Sequence, residues 1–181
     1  WAGTPVAIWT GTVLSAGMPA AGGVWALTRA RRWTGRPRLA WSLLGAAAVC
    51  WSLGNLAYSS YEVVFHVEPP FPGPPDVGFL VAAALLSAGA LAYPAVPRRR
   101  WSLVRTTLDA GMVTAASLLV AWVVLIDEVY AAGGSSMWVT AVGLAYPLSD
   151  VLVVCVLLMA LRRTTLGGRA ALLLLVMSMG L

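Results

Sequence analysis

Lysine is absent from this 181-residue sequence, and charge of either sign is scarce. Twelve arginines and seven acidic residues make up 10% of the chain, where a soluble domain carries about a quarter charged residues. With 60% hydrophobic residues and a mean hydropathy of +0.82, the composition excludes an ordinary soluble domain. Histidine occurs once, at His66, so no histidine stands inside an apolar run to ligate haem. Cys50 and Cys155 lie in separate apolar runs without C-x-x-C spacing, and read as small buried residues. The strings G-x-x-x-x-G-K-[ST], G-x-S-x-G and H-E-x-x-H are all missing. No catalytic residue, metal site or cofactor is therefore expected within these residues.

What the sequence does hold is long apolar runs. Segments near the 20 residues needed to cross a bilayer core fit at residues 4–27, 39–61, 77–96, 106–126 and 137–161. A sixth opens at 170–181 and covers only about 18 Å at 1.5 Å per residue. The expected fold is all-α: one polytopic integral membrane helix bundle over residues 1–181, with five full spans and an incomplete sixth. No basic leader or cleavage site marks the first run, so it reads as a span and not as a signal peptide, with Pro19 a kink. Opening on Trp1 and closing inside an apolar run, the sequence is expected to be part of a longer polypeptide.

Residues 58–80 organise the rest: an apolar run out, a turn holding Pro69, Pro70, Pro72, Pro74 and Pro75, and an apolar run back. Those prolines lack N–H donors and fix φ, so no helix continues through them. The turn contains Glu62, His66, Glu68 and Asp76 but no arginine, with Tyr58, Tyr61, Phe65, Phe71 and Phe79 along its edges. Asp76 precedes the next apolar run, where a carboxylate caps free helix N–H groups. All twelve arginines fall in three loops, residues 29–38, 98–105 and 162–169, which the alternation of spans puts on one side. That segregation predicts a plasma-membrane protein with cytoplasmic arginine loops, and with the N-terminus and the 66–76 turn outside. The net charge of +5 then answers to anionic lipid headgroups beside the bilayer, and not to nucleic acid.

Three places could carry chemistry. Asp150 lies in the fifth run twelve residues before Arg162, near the middle of that span. A carboxylate at such depth costs roughly 2.5–3.5 kcal/mol and needs a partner, a proton or water. It is read either as a relay or ligand contact, with Tyr146, Pro147 and Ser149 nearby, or as a hydrogen bond to polar groups such as Asn55. Asp109 follows Arg105 by four residues, as an interfacial ion pair would. The turn, with His66, Glu62, Glu68 and Asp76, could bind a cation, or could be a capped, solvated loop; its spacing matches no metal motif.

Two weaker patterns accompany these. Gly11 with Ser15, Ala83 with Ser87, Gly111 with Ala115 and Ala141 with Ala145 stand at four-residue spacing, which tolerates close helix packing. A proline followed by Asp-Val and an apolar run recurs at Asp76 and Asp150, hinting at a repeat.

The stretch 40–161, with its P-x-x-x-P-P-D turn ending at Asp76, Leu108-Asp109 and Tyr146-Pro147-Leu148-Ser149-Asp150, resembles the multi-span amino-terminal domain of actinobacterial signalling proteins. In that family the membrane domain precedes GGDEF and often EAL domains that make and degrade cyclic di-GMP. The resemblance implies an input module, with diguanylate cyclase or phosphodiesterase domains beyond Leu181 and a homodimer formed through them. No GGDEF or EAL string occurs in this sequence. The sensing residues expected on this reading are Asp150, Tyr146, Asn55, His66, Glu68 and Asp76. A fragment of a proton-coupled transporter shares the intramembrane carboxylate and the proline-broken helix, and is the alternative.

Overall fold

The computed structural model describes residues 13–93 and 137–163, with isolated helical positions at 11, 108, 111, 112, 115, 116, 119 and 170. Every regular element among them is helical. A π-helical turn, Val13–Gly17, runs into α1, Met18–Ala30; α2 is Arg36–Ser60, prolonged by a second π-helical turn, Tyr61–Phe65; α3 is Pro74–Ala92 and α4 is Met137–Arg163. Prolines start three of these elements where a missing N–H costs nothing: α1, α2 and α3 each carry one within their first two positions. Pro19 stands in the first turn of α1, directly after a π-helical turn whose backbone stays helical through Gly17 (φ −72°, ψ −43°). Gly35, at φ 69°, turns the chain into α2 through a backbone conformation that side-chain-bearing residues rarely adopt.

Three helices are long and apolar enough to cross a membrane: Arg36–Phe65, Pro74–Ala92 and Met137–Leu161. The described residues thus hold three candidate spans, not the five or six expected. At 13 residues, α1 covers about 20 Å of a core about 30 Å thick. Most of the expected 106–126 and 170–181 spans lie outside the described residues, as do Asp109 and the 98–105 loop. Leu108, Gly111, Met112, Ala115, Ala116 and Leu119 are helical and exposed, at the spacing of one helix face. The ends of the three spans move by only a few residues from expectation: α2 begins at Arg36, before 39, and α3 at Pro74, before 77.

α2 is the central element, packed between α1 and α3, and α3 in turn carries α4. Leu44, Ala47 and Ala48 of α2, Ala82, Leu86 and Ala90 of α3, and Val156 and Ala160 of α4 share one core. Alanine dominates that core because the helix backbones approach closely, as in lipid, where contact and not water exclusion drives packing. A Cβ built on Gly78 would meet the Gly54 Cα at 2.9 Å, and one on Gly23 would meet the Gly45 carbonyl oxygen at 2.9 Å. Close approaches run through these glycine pairs and Gly89, and of the residues at four-residue spacing Ser87 is buried on α3. Large apolar side chains on the same helices, among them Leu53, Leu56, Leu91, Leu152 and Leu158, stay exposed, as a lipid solvent permits.

Aromatic rings gather toward both ends. At the arginine end Trp41 stands edge-on to Trp25 at 5.4 Å and to Tyr93 at 5.8 Å, and the Arg29 guanidinium covers Trp25 at 5.9 Å.

Candidate functional site

The candidate site is a cleft at the proline end, and local backbone chemistry shapes it. The π-helical turn Tyr61–Phe65 ends on His66, whose left-handed conformation (φ 52°) reverses the chain. Histidine tolerates that region better than branched residues do. The reversal is fixed by a bond from the Val67 N–H to the Tyr61 carbonyl at 3.1 Å. The following loop contains a cis Phe71–Pro72 peptide and returns to α3 at Pro74. Asp76 is the third residue of α3, inside its first turn and not ahead of it. Its Oδ2 accepts the Gly73 N–H at 2.7 Å, and the Gly73 carbonyl accepts the Asp76 N–H at 3.1 Å. The side-chain half of this pair satisfies a donor at the helix start and sets a negative charge on the positive end of the dipole.

The other oxygen of Asp76 reaches across the bundle. Oδ1 accepts a hydrogen bond from the Tyr146 hydroxyl of α4, seventy residues further along. The Tyr146 ring lies against Phe71, with centroids 6.5 Å apart. One carboxylate thus closes the proline turn with one oxygen and joins α3 to α4 with the other. Around it opens a cleft of about 650 Å³, lined by Tyr58, Glu62, His66, Glu68, Phe71 and Asp76 together with prolines of the turn. Glu62, His66 and Glu68 are exposed there, whereas Asp76 is half-buried.

Four of the six expected sensing residues are thereby brought to one end of the bundle: His66, Glu68 and Asp76 line the cleft, and Tyr146 binds Asp76. Asn55 is not among them. Its amide donates to the Trp51 carbonyl of its own helix at 3.0 Å and not to Asp150. Asp150 is exposed on α4, one turn beyond Tyr146 toward the arginine end. Because Tyr146 contacts the first turn of α3, Asp150 lies only about 6 Å further in, closer to the proline end than to the middle of the bundle. Asp76 and Asp150 are not equivalent positions of a repeat, since one starts a helix and the other lies well inside one.

Glu62, Tyr58 and Phe71 are lining residues that the expected set omitted, although the crowding of carboxylates and rings around the prolines marked them. Pro147 stands inside α4 directly after Tyr146, removing a donor from the helix, and the Ser149 hydroxyl turns back to the Tyr146 carbonyl at 2.8 Å. Among the described residues no group of three His, Cys, Asp or Glu side chains is placed to hold a metal ion. Comparison of the chain with family models, curated proteins and solved structures gives no match.

Proposed function

We propose that this chain is the sensory input module of a membrane signalling protein, of the kind whose cytoplasmic domains make or degrade cyclic di-GMP. The observation that carries the proposal is the Asp76–Tyr146 joint, which ties the rim of the cleft to a helix ending in Arg162 and Arg163. A signal that changed the cleft would change how α4 is held. A hydrogen bond to a charged group contributes about 1.5–3 kcal/mol, and about 1.4 kcal/mol moves a two-state equilibrium tenfold. One such bond is enough to bias a bundle whose two states differ by a few kcal/mol.

In full-length protein expressed in cells, Tyr146→Phe is expected to change the cyclic di-GMP level about tenfold at equal protein abundance, read by mass spectrometry of extracts. An unchanged level would sink this reading. Transport is the second reading, favoured by the exposed carboxylate of Asp150 beside Pro147 in a candidate span. Further apolar spans in place of a soluble domain, with proton uptake into proteoliposomes lost in Asp150→Asn, would establish it instead.

The proposed arrangement has five complete spans and a sixth in the plasma membrane, with the cleft outside. The arginine loops then lie in the cytoplasm against anionic lipid headgroups. In a protein lacking Cys50 and Cys155, an impermeant maleimide applied to intact cells should label Pro70→Cys and leave Arg31→Cys untouched. The reverse pattern would invert the orientation.

A further inference from the structure

We propose that the cleft at the proline end binds a small organic ammonium ion, and that this ligand competes with Tyr146 for the carboxylate of Asp76. The inference deepens the sensory reading above and rests on it for its physiological meaning. Its basis is the chemistry of the cavity wall. A volume of about 650 Å³ lies within the range of small-molecule sites and is far larger than the space a bare metal ion fills. The absence of a three-ligand metal group among the described residues agrees with that.

The wall also selects by charge. Three carboxylates, those of Glu62, Glu68 and Asp76, line the cleft against one imidazole, that of His66, and no arginine does, so the wall's charge favours a cation over an anion. The remaining surface is aromatic and proline-rich, with Tyr58 and Phe71 among the lining residues. Ring faces attract a cation and cover its carbon substituents. An ammonium carrying carbon groups is the ligand class that uses both kinds of surface.

Asp76 gives binding a mechanical consequence. Its two oxygens are engaged by the Gly73 N–H and the Tyr146 hydroxyl, while its side chain forms part of the cleft wall. A cation drawn to that carboxylate weakens its bond to Tyr146, at the residue immediately before Pro147 inside α4. Ligand and tyrosine hydroxyl therefore oppose one another.

Full-length protein in maltoside micelles, titrated with choline and with its uncharged isostere 3,3-dimethylbutanol, tests this by calorimetry. Choline should bind saturably and at least about tenfold more tightly than the isostere. Glu62→Gln and Glu68→Gln, both at exposed positions, should each weaken choline about threefold or more at unchanged thermal stability. Tyr146→Phe should tighten choline about tenfold by freeing Asp76, whereas a tyrosine that merely shaped the site would give weaker binding. No saturable choline binding, equal binding of the isostere, indifference to both glutamate changes, or weaker binding in Tyr146→Phe would each overturn the proposal. Because the titration needs no output domain, its failure would leave the cyclic di-GMP experiment free to judge the sensory reading separately.

Discussion

Asp76→Ala is expected to lower the stability of the bundle by about 2–4 kcal/mol, more than any other single polar change at the proline end. Two losses add. The Gly73 N–H loses its acceptor at the start of α3, and removal of a helix-start carboxylate of this kind costs about 0.5–2 kcal/mol. The Tyr146 hydroxyl, half-buried between helices, loses the other oxygen, and a donor left without a partner costs about 1–3 kcal/mol. Asp76→Asn keeps one acceptor oxygen and should lose roughly half as much. Reversible unfolding in mixed micelles, followed by tryptophan fluorescence, gives both values. Equal losses for the two variants would mean that only the charge mattered, and a loss under about 0.5 kcal/mol for Asp76→Ala would show that neither bond holds the end together.

Gly78→Ala is the second change with a large expected effect. The added methyl group would lie 2.9 Å from the Gly54 Cα and 3.1 Å from the Cys50 carbonyl oxygen. Those are backbone atoms of α2, so no side-chain rotation relieves the clash and the two helices must separate. Overpacking of this sort costs about 1–3 kcal/mol. The matched control is Gly143→Ala in α4, where nothing lies within 4 Å of the new methyl; a helical glycine replaced by alanine in open space gains up to about 1 kcal/mol. Opposite signs for the two substitutions in the same unfolding assay are the expected outcome. If Gly78→Ala were neutral, α2 and α3 would not be in the contact described.

These two changes also mark what the sequence could and could not reveal. The three long helices were legible because apolar length and proline position are local properties. The prolines at 69–75 keep the loop after His66 from being helical and Pro74 starts α3, wherever the rest of the chain lies. Asp76 was legible as a helix-start carboxylate for the same reason, although it occupies the third helical position and reaches backwards.

Its second bond was not legible. Asp76 and Tyr146 are seventy residues apart, and no periodicity links residues on helices whose relative height is set by packing. Asp150 drew attention as the costlier carboxylate, yet its neighbour Tyr146 makes the contact between helices. The glycine contacts were hidden likewise: Gly54 meets Gly78 and Gly23 meets Gly45 across helices, while four-residue spacing reports only on one helix at a time. The first expected span, 4–27, lies partly outside the described residues, and within them its helix opens as a π-helical turn at Val13 and becomes α-helical at Met18.

The attachment of α4 at Tyr146 divides that helix unequally. Nine residues precede the tyrosine from Met137, about 13 Å, and seventeen follow it to Arg163, about 26 Å. At the start of the short arm Met137 and Trp138 are exposed at 88% and 76%, while along the long arm Val156 and Ala160 stand in the core shared with α2 and α3. The Asp76–Tyr146 bond is therefore the tether of the arm that this core leaves out, and without it α4 would be moored from one side only.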